Sequence, residues 1–166
     1  HLVSLFRDSG FLKKNSRLST TLDKPDIGVY AVGDTPEQDL RTGGGSYLFT
    51  RVFDKTSKGG DGSTTGIYFK SRNLRRMDSI KYNADKYGTI SDFDERAGSF
   101  EDYGKFKRIS NETNFKNGLE FIDEIDKIVC KTEKTRKIII KAFKDANIKK
   151  LPDGRKVEDI VIRGGE

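Results

Sequence analysis

Asp126-Lys127-Ile128-Val129-Cys130-Lys131-Thr132-Glu133-Lys134-Thr135-Arg136-Lys137-Ile138-Ile139-Ile140-Lys141-Ala142-Phe143-Lys144-Asp145-Ala146-Asn147 decides the fold class. A short apolar run is followed at once by an amphipathic one. Residues 126–130 predict a buried strand, because the run is short and β-branched. Residues 133–146 predict a helix, because Ile138, Ile139, Ala142, Phe143 and Ala146 fall on one stripe at helical spacing. Thr132 stands in the N-cap position, and Glu133 suits the positive end of the helix dipole. Asn147 closes the helix in the left-handed conformation. Pro152-Asp153-Gly154 then makes a turn, and residues 157–162 predict a final strand.

Working outward, the earlier chain reads as short strands between loops. Residues 47–53 are rich in aromatic and β-branched side chains and predict a strand. Residues 66–70 predict another, and residues 108–115 a third that enters the core. Residues 27–32 suit a strand or a buried loop. Leu74, Met77 and Ile80 suit one side of a short helix or turn. At the N-terminus, residues 2–9 predict a short helix with Leu2, Leu5 and Phe6 on one face and Gly10 as its stop; Phe11 and Leu12 continue the apolar contact. Residues 13–21 and 55–65 read as polar loops, and residues 92–107 show no clean period. Strands between loops, with helices mainly toward the two ends, predict an α+β fold with a mixed sheet. A chain of 166 residues without an internal repeat or linker is expected to be one domain, residues 1–166. It begins without Met, and we expect it to be the C-terminal piece of a larger protein.

Composition narrows the chemistry. The net charge is +6, with 35% charged residues, which favours anionic partners: nucleic acid, a nucleotide, an acidic protein or an anionic membrane surface. A basic surface that is simply solvated accounts for the same balance. Lys134, Arg136, Lys137, Lys141 and Lys144 on the last helix read first as such a solvated face. One cysteine, Cys130, allows no internal disulfide and lies among apolar residues, which suits a small core residue. With His1 as the one histidine, a zinc site of Cys and His is excluded, and no metal is expected. No apolar run is long enough for a membrane span. The sequence has no Walker A loop, and Gly43-Gly44-Gly45 leads into a strand rather than a helix, so it is not a helix-terminus phosphate site.

Several segments spread along the chain carry a pattern. His1 precedes the first helix, which is followed by Ser9-Gly10-Phe11-Leu12-Lys13-Lys14-Asn15-Ser16-Arg17-Leu18. Then come Phe49-Thr50-Arg51, Gly66-Ile67-Tyr68-Phe69-Lys70-Ser71-Arg72-Asn73, and Ser110-Asn111-Glu112-Thr113-Asn114-Phe115 with Ile125-Asp126-Lys127-Ile128-Val129 after it. In that order the pieces resemble the ADP-ribosyltransferase superfamily. The nearer similarity is to the branch with poly(ADP-ribose) polymerase-like enzymes and the DNA-modifying transferases of toxin–antitoxin systems. The resemblance implies a transferase-type sheet core with peripheral helices, and NAD as substrate. It implies Glu112 as the catalytic carboxylate, and His1, Asn15, Arg17, Arg51 and Tyr68 as the residues that bind NAD. Val3 stands where the pattern has Thr or Ser. Asn114 follows Glu112 at the spacing where arginine-modifying members carry a second glutamate.

These residue types suit that chemistry. Cleaving nicotinamide from ribose builds positive, oxocarbenium-like charge on the sugar, and a carboxylate stabilises it. Arginine pairs with pyrophosphate through two parallel bonds. An aromatic ring can stack on nicotinamide. The resemblance further implies a toxin or effector acting in the cytoplasm, delivered as part of a larger protein. Its partners would be a macromolecular acceptor, nucleic acid or protein, and an immunity or antitoxin protein. Two other readings fit the residues. One is a metal-independent toxin ribonuclease with a basic site, and the other a binding module without catalysis.

Overall fold

The computed structural model describes residues 2–7, 12, 17–18, 47–52, 64–76, 80–83, 97–98, 112–116 and 118–164. In chain order the elements are α1 (Leu2–Arg7), β1 (Arg17–Leu18), β2 (Tyr47–Arg51), β3 (Gly66–Phe69), β4 (Ile80–Asn83), β5 (Ala97–Gly98), β6 (Glu112–Lys116), β7 (Leu119–Glu120), α2 (Phe121–Glu124), β8 (Ile125–Cys130), α3 (Glu133–Asp145), α4 (Val157–Ile160) and β9 (Val161–Arg163). A 3-10 turn, Ser71–Arg75, follows β3. The fold is α+β, as the sequence predicts.

Among the described residues the strands form three sheets. Four run antiparallel in the order β2-β6-β4-β5. Three form β3-β8-β9, where β3 is antiparallel and β9 parallel to β8. The short β1 pairs with β7.

The main core lies around β8, α1 and α3. Ile125, Ile128 and Cys130 of β8, Ile139 and Phe143 of α3, and Leu5 and Phe6 of α1 are buried together. Phe6 meets Phe121 edge-on, with ring centroids 5.9 Å apart, and Phe121 stacks on Phe143 at 6.3 Å. A smaller core joins Phe115 and Leu119 to Leu48 and Val52, and Phe69 of β3 packs against both cores. Among the described residues Phe69 is therefore the side chain shared by the two cores, one on the three-stranded sheet and one on the four-stranded sheet.

α3 forms as its sequence predicts. The Thr132 hydroxyl accepts a bond from the Thr135 N–H at 3.1 Å, and Asn147 takes φ 59°, so both ends are satisfied. The C-terminal segment differs from expectation. Residues 157–160 form a helical turn, and the strand begins only at Val161. Val157, Ile160 and Val161 are all buried while Glu158 and Asp159 are exposed, which is helical spacing rather than alternation. Ile80, read with Leu74 and Met77 as one side of a helix or turn, instead opens β4. Arg17 and Leu18, within a segment read as loop, pair with Glu120 and Leu119, a long-range pairing that local composition does not signal. The predicted element at residues 27–32 lies outside the described residues.

Phe143→Ala is expected to lower unfolding free energy by about 3–5 kcal/mol, because the ring is fully buried beside Phe6 and Phe121. Urea unfolding monitored by circular dichroism tests it, and a loss under about 1 kcal/mol would place the main core elsewhere.

Candidate functional site

The site is built on β6, the central strand with a partner on each side. Arg51 of β2 and Asn83 of β4 both stand opposite Glu112. Directly opposed residues of antiparallel strands belong to the same face of the sheet. Arg51, Glu112 and Asn83 therefore form one row across three strands. The next row on that face is Phe49, Asn114 and Lys81, and Tyr47 stands opposite Lys116 beyond it.

The two faces differ in character. Leu48 and Val52, alternating with this row, pack with Phe115 in the smaller core. On that inner face the Thr50 hydroxyl donates to the Thr113 carbonyl, tying β2 to β6 one residue from the Glu112 row. Thr113 is buried, and its Oγ1 has no hydrogen-bond partner among the described residues. On the opposite face Arg51 and Lys116 are exposed and Phe49 is 40% exposed, the one large exposed hydrophobic among the described residues, while Tyr47 and Asn114 are buried, so that face is covered in part.

Of the residues that the sequence nominates, Glu112 and Arg51 thus meet in one row. Tyr68 lies in the other sheet, opposite Lys127, whose ammonium sits 5.0 Å from the ring centroid. Arg17 stands opposite Glu120, in the segment that follows the Lys116 end of β6. His1 and Asn15 lie outside the described residues. Asn83, Lys81 and Phe49 are additions from the structure. The alternation of Ile80-Lys81-Tyr82-Asn83 would have marked a strand, but the spacing of Leu74, Met77 and Ile80 masked it.

A second polar cluster fixes the turn after β3. Arg72 holds the Glu124 carboxylate through two 2.9 Å bonds, and the Asn73 amide donates to the same carboxylate at 2.9 Å. Lys70 pairs with Asp153 at 3.0 Å, and Arg155 pairs with Asp153 at 2.8 Å while also donating to the Ile125 carbonyl. The bond from Arg72, and then that from Asn73, hold the Glu124 carboxyl below its ordinary value of 4.5 against the opposing effect of burial. Arg155 and Lys70 hold Asp153 well below the usual carboxylate range. All these groups are mutually satisfied, so the cluster reads as a clamp on the segment 70–73 rather than a reactive centre.

Cys130 is buried in the main core, and burial pushes its thiol up to about 11. A thiol held protonated is a poor nucleophile, consistent with a packing role. Among the described residues no group of His, Cys, Asp or Glu is arranged to hold a metal, and no helix is long and apolar enough to cross a membrane. No protein-family model, curated protein or solved structure matches this chain.

The clamp predicts a pH dependence. Glu124 and Asp153 have folded values below their unfolded ones, so their stabilisation is present above about 4.5 and is lost as pH falls below it. The urea midpoint is expected to be level between about pH 7 and about pH 5.5, and to fall below about pH 4.5. Glu124→Gln should lower the midpoint at about pH 7 and flatten that fall. An unchanged acid profile in this variant would remove Glu124 from the account.

Proposed function

We propose that this chain is a mono-ADP-ribosyltransferase domain of the toxin or effector kind, which cleaves NAD and passes ADP-ribose to a macromolecule. The observation that carries the reading is the Arg51–Glu112–Asn83 row on the doubly paired strand β6. Two residues nominated from the sequence, the carboxylate and a pyrophosphate-binding arginine, stand opposite one another there.

On this reading the bond between nicotinamide N1 and ribose C1′ breaks, and its electron pair leaves with nicotinamide. Glu112 stabilises the positive charge on the sugar, and an acceptor O–H or N–H attacks C1′. The acceptor's proton passes to the Glu112 carboxylate and then to water. Arg51 carries the pyrophosphate through a fork of two charge-assisted bonds. Asn83 supplies an amide in the same row as the carboxylate, suited to a ribose hydroxyl. Asn114 in place of a second glutamate disfavours arginine as acceptor. Such a domain would act in the cytoplasm of a target cell, and its producer would need an immunity or antitoxin protein.

The test uses NAD labelled in the adenylate, incubated with the chain and a cell extract that is then separated into protein, DNA and RNA. Glu112→Gln is expected to reduce label transfer and nicotinamide release by at least about a hundredfold. Arg51→Lys keeps the charge but loses the fork, and should raise KM for NAD about tenfold. No nicotinamide release from the parent chain would refute the transferase reading.

A further inference from the structure

The outward side of α3 carries charge that the packing does not use. Lys134, Lys137, Lys141 and Lys144 are all exposed, at successive spacings of three, four and three residues. That spacing puts them on one face, away from the buried Ile139 and Phe143. From Lys134 to Lys144 the row spans about 15 Å. Lys141 pairs with Asp145 at 2.6 Å, and Glu133, the other acid of the helix, pairs with Arg136 at 3.3 Å. Lys134, Lys137 and Lys144 have no carboxylate partner among the described residues. Past the helix, Lys150 stands directly opposite Lys156, both exposed, an opposition of like charges that costs stability. Ile138 adds an apolar point beside the row, one turn from Lys134 and from Lys141. It is only half-buried and packs on neither core among the described residues, although Ile140, Ala142 and Ala146 do.

We infer that this face of α3 docks an acidic helix of a partner protein, whose carboxylates follow the lysine row while an apolar side chain covers Ile138. Three features favour a protein over other polyanions. Ile138 offers apolar area that a phosphate backbone cannot use, and an apolar centre with a charged rim is how protein contacts are built. Among the described residues the face has no aromatic ring for a base and no free guanidinium for a forked phosphate contact, since Arg136 is tied to Glu133 and to the Val161 carbonyl. Glu133 and Asp145 interrupt the positive charge at its two ends. A uniformly anionic lipid surface or polynucleotide would be repelled there, whereas a protein can answer both signs. Docking on α3 is independent of the transferase reading.

The probe is a fluorescein-labelled, alanine-based helical peptide of about 20 residues, with Glu at the lysine spacing and one Leu beside that row. A scramble of the same composition, a DNA duplex and phosphatidylserine vesicles are the comparisons. The full chain, followed by anisotropy, is expected to bind the peptide more tightly than its scramble, and more weakly as salt rises. The triple variant Lys134→Gln, Lys137→Gln, Lys144→Gln should weaken that binding about tenfold with its circular dichroism unchanged. Ile138→Ala should weaken it about threefold and leave the salt dependence as it is. No binding of the peptide, equal binding of its scramble, or either variant binding like the parent would each overturn the inference. A larger loss of duplex or vesicle binding than of peptide binding in the triple variant would also overturn it, and would give the face to that occupant instead.

Discussion

The register of β6 is the constraint on which the rest depends. Side chains alternate along a strand, so sliding β6 by one residue would turn Phe115 outward and Glu112 into the smaller core. Phe115 is held there by Leu48, Val52, Leu119 and Phe69, and a carboxylate in its place would lie unpaired among apolar groups. The Thr50–Thr113 bond adds a polar pin on the same face. The packing that builds the smaller core therefore also presents Arg51, Glu112 and Asn83 together on the other side. No interaction among those three polar residues is required to align them.

Phe69 transmits that constraint to the rest of the chain. It packs against both cores, so β3 must be fixed in two directions. The register between β3 and β8 shifts after Tyr68, and the strand ends one residue later. The chain beyond it is held by Lys70 on Asp153 and by Arg72 and Asn73 on Glu124. Exposed ion pairs contribute little free energy singly. Their weight here is geometric: three side chains from four successive residues anchor to two separate segments. The 70–73 turn is thereby tied to the corner after α2 and to the turn before α4.

What the sequence made legible follows from how local each signal was. α3 was readable to its caps, because the stripe of Ile139 and Phe143, the Thr132 cap and the Asn147 stop all lie within sixteen residues. β2, β3, β6 and β8 were readable from β-branched and aromatic runs, with described ends off by one or two residues and residues 108–111 of the third predicted strand outside the described residues. β4 was lost, since two of its four residues are polar and Ile80 continued a false helical spacing. β1 and β7 are two-residue strands whose existence depends wholly on each other. The α4 turn was misread because Val157, Ile160, Val161 and Ile162 look like a strand until Glu158 and Asp159 are seen to face solvent together. For the candidate site, Glu112 and Arg51 could be nominated from residue type and order. Their opposition, and the inclusion of Asn83 and Phe49, could not, because register is a long-range property.

Placing the row on a doubly paired strand has a chemical consequence on the proposed reading. A carboxylate that must stabilise charge at one carbon needs a position defined to a fraction of an ångström, which a central strand provides better than a loop. Charge adds a second consideration. By register, Arg51, Lys81 and Lys116 occupy the same set of rows as Glu112, so a polyanionic acceptor on the proposed reading would meet basic positions as well as the carboxylate. At distances near the Debye length, about 8 Å at physiological salt, the surface acts by its net sign and attracts. A carboxylate grouped with other acids would serve the same bond cleavage but lose that attraction. On the proposed reading, the basic positions that the β6 register brings into the rows of Glu112 would favour an anionic substrate over a neutral or basic one.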